Sequence, residues 1–244
     1  MLLFSRTLRA WAGVGLLVPG LAVLGGCGRD FSRPGEERSE TSNVELDDSD
    51  QVHAEVNMGA GELRVRGGAS KLLEARFRYN RLRMRPEVSY HASGGRGHLI
   101  VEEPRGMHTA PRRNQWELAF NNGKPLDLDL NCGAGETRLD LGDLSLRSVT
   151  VHMGVGELRM DLRGTPKSDY SVSIDGGVGE ATVYLPGGSD VGVEAEAQGG
   201  IGGISTSGLR KRDGRYVNDA FGHAKTTVRV EIHGGIGQIR LVAD

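Results

Sequence analysis

Four glutamates recur at matched places in the chain, Glu62, Glu136, Glu157 and Glu180, each directly after a Gly-x-Gly triplet. Glycosidic-bond hydrolysis needs a pair of carboxyl groups, one acting as acid and the other as base or nucleophile. Glu136 with Glu157, or Asp127 with Asp129, would be such a pair in a polysaccharide-active β-helix enzyme. A file of carboxylates is also a site for a cation or a sugar. If the glutamates stack one strand apart, each pair lies about 4.8 Å apart and costs on the order of 1 kcal/mol even in water. Arg64, Arg138 and Arg159 stand two residues after their glutamates, hence on the same strand face, so the motif supplies its own counter-charge. That makes an ion-paired ladder the simpler reading. The chain has only five Phe, five Tyr and two Trp, few aromatics for the sugar-stacking groove of an enzyme.

Other chemistry finds less support. Gly177-Val178-Gly179 and its relatives lack the third glycine and following helix of a dinucleotide site, and Ala181 stands where a calcium-binding nonapeptide needs Asp. His53, His152 and His233 fall on outward strand positions without metal-ligand spacing, and Cys132 occupies an inward slot as a core thiol. No cofactor is expected. From Lys71 to Arg113 ten Lys or Arg face four Glu, and Arg76, Arg78, Arg81, Arg83 and Arg85 form a stripe. Such a stripe suits an anionic ligand: a lipid headgroup or an anionic envelope polymer. The acidic residues before it, 28–50, offer the same charge from within the chain.

The elements that position these residues are repeats. Asn57-Met58-Gly59-Ala60-Gly61-Glu62-Leu63-Arg64-Val65 returns beginning at Asn131, His152 and Asp175, and more weakly at Gln198 and His233. The leading glycines fall at 59, 133, 154, 177, 200 and 235, with three consecutive spacings near 22. Apolar side chains alternate at Val149, Val151, Met153 and Val155, then slip phase to Leu158, Met160 and Leu162. Period two on both sides means strand, and the slip places a corner at the glycines. Gly133, Gly135, Gly154, Gly156, Gly177, Gly179, Gly235 and Gly237 are the expected structural corners, since glycine accepts positive φ and close backbone approach. The middle residue of each triplet is expected to point inward. Coils of about 22 residues bury their apolar face by stacking, so the fold class expected is all-β, a parallel β-solenoid; the competing reading is an antiparallel meander or sandwich with the Gly-x-Gly segments as hairpin tips.

The domain reading is a signal peptide over 1–26, an acidic flexible tether over 27–50 and a solenoid over 51–244. Within the solenoid, 51–125 is an irregular N-terminal sheet or degenerate coils, and 126–244 holds regular repeats with an insertion at 206–225. The last strand, ending near Val242, would leave an uncovered edge unless that insertion folds over it, so a homo-oligomer is one expectation. Arg6 and Arg9 precede an apolar run, Ala12 to Leu24, too short and too interrupted to span a membrane. The run ends Leu24-Gly25-Gly26-Cys27, which resembles the lipobox of bacterial lipoproteins. That resemblance implies acylation of Cys27 and anchoring in the lipid bilayer outside the cytoplasm; Gly28 after it matches proteins sent to the outer membrane in diderm cells. Residues 28–50 carry three Arg against eight acids and almost no apolar side chains, the composition of a tether.

Lys and Arg total 30 against 32 acids, a balance that speaks against nucleic acid as a partner. Lipobox, tether, a sheet-like segment ending at the Asn131 repeat and serial Gly-x-Gly-Glu units together resemble the toast-rack family of bacterial envelope domains. The resemblance implies a β-solenoid outside the cytoplasm, whose relatives accompany cell-wall stress responses. It carries no catalytic residues over. The function expected is a non-enzymatic envelope lipoprotein that binds or scaffolds an envelope protein or polymer, with the carboxylate-pair enzyme and a self-associating structural protein as the alternatives.

Overall fold

The computed structural model describes residues 37–80, 85–104 and 113–244. Cys27, Arg81 and Arg83, together with the signal and lipid-attachment readings, lie outside the described residues. The described residues form fourteen β-strands and no helix. These are β1 (Arg38–Val44), β2 (Gln51–Arg66), β3 (Leu73–Tyr79), β4 (Glu87–Ser93), β5 (Arg96–Glu102), β6 (Asn114–Phe120) and β7 (Leu126–Asp140). The remainder are β8 (Leu146–Asp161), β9 (Tyr170–Leu185), β10 (Val191–Ile201), β11 (Ile204–Ser207), β12 (Arg210–Arg212), β13 (Arg215–Val217) and β14 (Thr226–Ala243).

Each long strand carries one copy of the repeat, with an arm before the glycines and an arm after them. Copies stack in parallel and in matched register: Asn57 beside Asn131, Asn131 beside His152, His152 beside Asp175. Val149 and Val151 from the first arm, and Leu158, Met160 and Leu162 from the second, are at most 1 % exposed and share one core with their equivalents in neighbouring copies. This is the rung-on-rung all-β solenoid that alternation and spacing favour.

Copies one and two are direct neighbours although their leading glycines are 74 positions apart, because the strands between them pair beyond β2 at the end of the stack. β5 pairs the first arm of β2, and β6 pairs the second, with β3 and β1 added antiparallel beyond β6. Trp116 and Phe77 pack edge to face beneath it, their centroids 5.5 Å apart. β5 and β6 thus follow the two arms of β2 in parallel, as a coil does, while β1, β3 and β4 are added antiparallel, as in a sheet.

Three expectations need correction. The acidic segment read as tether contains β1, which pairs with β3 over seven residues, from Arg38 opposite Tyr79 to Val44 opposite Leu73. Charge composition misses this because the neighbouring basic strand supplies what β1 lacks. The middle residues of the triplets do not point inward: Val155, Val178, Ile201 and Ile236 are 56, 47, 71 and 51 % exposed. The phase slip occurs across the triplet itself, so these side chains leave the core at the tip of the turn and make an apolar ridge. Finally, β14 is not the end of the stack. It lies between β9 and β10, paired in parallel with both, and its second arm also pairs β11. The insertion supplies β12 and β13, which cover part of the β10 edge instead of a terminal strand.

Candidate functional site

The leading glycine of each copy sits where neighbouring backbones nearly touch. A Cβ added at Gly133, Gly154, Gly177 or Gly235 would come 2.3 Å from a glycine carbonyl oxygen in the coil before it. At Gly135, Gly156, Gly179 and Gly237 it would come within 1.6–1.8 Å, and their φ values of +132 to +149° belong to glycine. Side-chain-free backbone therefore runs the length of the stack as a floor.

One residue before the floor glycines' neighbours stands a file of planar polar side chains on the outer face of the first arm: Asn57, Asn131, His152, Asp175 and His233. Together with the glycines they line an open trough of about 1120 Å³, closed at one end by Glu102, Glu103 and Pro104. Asn131 Nδ2 donates to Asn57 Oδ1 at 2.8 Å, and Asn57 Nδ2 donates to Glu55 Oε1 at 2.7 Å. Asp175 sits between two imidazoles, His152 Nδ1 at 3.3 Å from Oδ2 and His233 Nδ1 at 3.3 Å from Oδ1. His233 Nε2 also lies 3.3 Å from Glu231 Oε1. Among the described residues, no group of three or more His, Cys, Asp or Glu is placed to hold a metal ion. Buried Glu103 at the end wall accepts a hydrogen bond from Asn114, whose amide also donates to Ala60 O, so the wall is fixed to the first turn.

The glutamate file lies on the other arm and does not line the trough. Glu62, Glu136, Glu157 and Glu180 are adjacent on four successive strands. Arg64 Nη2 donates to Glu62 Oε1 at 2.8 Å; this bond, reinforced by Gln115, holds the Glu62 carboxyl below its usual range against the cost of its burial. Arg138 pairs Glu136, and Arg240 of the inserted strand lies 3.6 Å from Glu180. Glu157 differs: Arg159 stacks over the Tyr184 ring, 4.9 Å from its centroid, and no ion pair forms at Glu157 among the described residues. The ladder is thus mostly self-compensated, as the spacing of its arginines implies.

The arginine stripe is divided. Arg85 makes a two-pronged contact with Glu40 of β1, Arg113 pairs Glu37, and Lys71 pairs Glu45, so the acidic segment meets the basic one within the chain. Arg76 lies 3.6 Å from Glu117, and Arg78 is half-buried on β3. Cys132 is buried at the lining of the trough, and burial pushes its thiol up.

The trough was present in the sequence without being singled out. Two positions before every leading glycine the residue is Asn, His, Asp or Gln, a constancy of planar hydrogen-bonding groups that the alternation alone does not require.

The comparisons with known proteins agree with this architecture. Residues 33–184 match the family model described as the N-terminal domain of toast_rack, DUF2154. The chain belongs to the toast-rack family. A crystal structure of a "putative cell adhesion protein" from Clostridium sporogenes is 30% identical to this toast-rack chain, with a TM-score of 0.80, covering 86% of this chain and 100% of that one. Structures of a "putative adhesin" from Bacteroides fragilis and another from Parabacteroides distasonis are more distant, at 8% and 13% identity and TM-scores of 0.32 and 0.27. They cover 85% and 84% of this chain, and 98% and 97% of their own. No curated protein matches the sequence.

Proposed function

We propose that this toast-rack chain is a non-enzymatic binding protein of the bacterial envelope, anchored in the bilayer through acylated Cys27, and that its trough is the surface that meets the ligand. The observation that carries the reading is the continuous trough itself. A glycine floor lets a ligand approach the backbone, and a file of planar polar side chains at strand spacing offers repeated hydrogen-bonding groups to an extended polymer. Family membership and the likeness to the Clostridium sporogenes protein support adhesion-type binding outside the cytoplasm. The apolar run ending at Cys27 supports the anchor, and a role in envelope stress sensing is consistent with the resemblance drawn from sequence.

The test uses isolated cell-wall sacculi as probe in a co-sedimentation assay. Asn131→Arg and His152→Arg, which fill the trough, are expected to weaken binding at least about tenfold, a loss of roughly 1.4 kcal/mol, while Glu157→Gln on the opposite arm binds like the wild type. Equal binding by all three would remove the trough from the account. Release of soluble glycan by the wild type, abolished by Glu136→Gln with Glu157→Gln, would favour the enzyme reading instead. The anchor is tested separately: fatty-acid labelling of the protein is expected to disappear in Cys27→Ala.

A further inference from the structure

The two ends of the stack differ. At the first, both arms of β2 are covered, by β5 and β6, and Asn114 seals the turn between them. At the other, β13 pairs β10 only at Glu194 and Ala195, and Asn218 bonds the backbone of Val191 and Val193. Among the described residues β11 is bonded on one side alone, to β14. Ile239 N donates to Gly203 O at 2.9 Å, so Gly203 and Ser205 face β14, and the alternation of a strand turns the N–H and C=O of Ile204 and Thr206 outward. An edge of this kind templates pairing with another chain unless something blunts it. The other outer strands are blunted by charge: Arg210-Lys211-Arg212 on β12, Arg38 and Glu40 on β1, Glu87 on β4. From Ile201 to Leu209 there is no charged side chain, and Ile201 and Ile204 are 71 and 36 % exposed.

We infer that this edge is the interface for a second copy of the chain, β11 pairing antiparallel with β11 about a two-fold axis. A two-fold interface sets each patch against itself, so it tolerates no unbalanced charge; the uncharged run satisfies that condition. Pairing satisfies the outward backbone groups of Ile204 and Thr206 and covers Ile201 and Ile204. The covered first end offers β2 no free edge, so the assembly closes at two copies and does not extend as a fibre. The inference is independent of the trough, which lies on the first arm.

Thr206 is exposed, and its N–H is one that β14 does not use. Thr206→Pro removes that donor, and Thr206→Lys adds a charge that meets its own copy across the axis. Sedimentation of the full-length chain in mild detergent, across about a hundredfold range of concentration, is expected to show a monomer–dimer equilibrium. Each variant is expected to raise the dissociation constant at least about tenfold with an unchanged circular-dichroism spectrum. A wild type that stays monomeric throughout, a mass that grows past the dimer, or a dimer that survives both substitutions would overturn the inference.

Discussion

Gly176, Gly177 and Gly179 stand in one turn yet face different surroundings. An added Cβ at Gly176 would meet nothing nearer than 4.0 Å, because copies four to six carry glycine where earlier copies place Met58, Cys132 and Met153. The void left beneath the turn measures about 40 Å³ and is lined by Met153, Ile174, Ile232 and Ile239 among others. At Gly177 the same Cβ would lie 2.3 Å from Gly154 O, and at Gly179, with φ +149°, 1.7 Å from Gly156 O. Gly176→Ala is therefore expected to be neutral or to stabilise by up to about 1 kcal/mol, since it reduces the freedom of the unfolded chain. Gly179→Ala is expected to cost more than about 3 kcal/mol, through backbone strain and a clash that cannot relax without parting two coils. Gly177→Ala falls between them. Urea midpoints of the three variants check this ranking, and equal effects would contradict the close-approach explanation. Sequence repetition already separates Gly176, whose slot holds Met or Cys in the first three copies, from the invariant Gly177 and Gly179; the register of neighbouring coils supplies the distances that rank them.

The strand β1 shows how charge alone misleads at the scale of an element. Its residues are too polar to fold by themselves, but Glu40 takes hydrogen bonds from Arg85 and the Tyr79 hydroxyl, which hold its carboxyl below the usual value of 4.5. Just beyond β1, Ser49 and Tyr90 do the same for Asp47, lowering it from 3.8. Carboxyl groups depressed in the folded state stabilise it fully above their unfolded pKa, and the contribution fades as pH falls through the folded value. Amide protection of residues 38–44 is thus expected to drop below pH of about 4.5, the ordinary carboxyl range, ahead of β7, β8 and β9. Glu40→Gln should flatten that dependence. Protection of β1 that persists in acid alongside the core strands would show that backbone pairing alone holds it. The acidic composition of 28–50 and the basic composition of 71–113 were both plain in the sequence. Their meeting through a strand was not, because it depends on which edge the intervening sheet presents.

For the molecule as a whole, alternation and the 22-residue period favoured a parallel stack over an antiparallel meander, and the matched parallel registers of the copies agree. Alternation and period did not fix the order of the rungs. Copies with the same phase fit against one another interchangeably, so nothing in pairwise likeness says that β14 separates β9 from β10. A hint existed in the fifth copy, Gly200-Ile201-Gly202-Gly203-Ile204, which lacks the charged pair after its glycines and has a short second arm. A truncated copy suits an edge, while the fuller motif Gln238-Ile239-Arg240-Leu241 suits an interior place. The trough depends on that order, because it brings His233 beside Asp175 and not Gln198. The exposed ridge makes it testable with paired cysteines in a Cys27→Ser background, reading disulfide formation after mild oxidation. Val178→Cys with Ile236→Cys, and Ile236→Cys with Ile201→Cys, occupy adjacent rungs in matched register and are expected to cross-link within the chain. Val178→Cys with Ile201→Cys are separated by β14 and should remain reduced. Ready cross-linking of that last pair would place β9 against β10 and contradict both the inserted strand and the trough built on it.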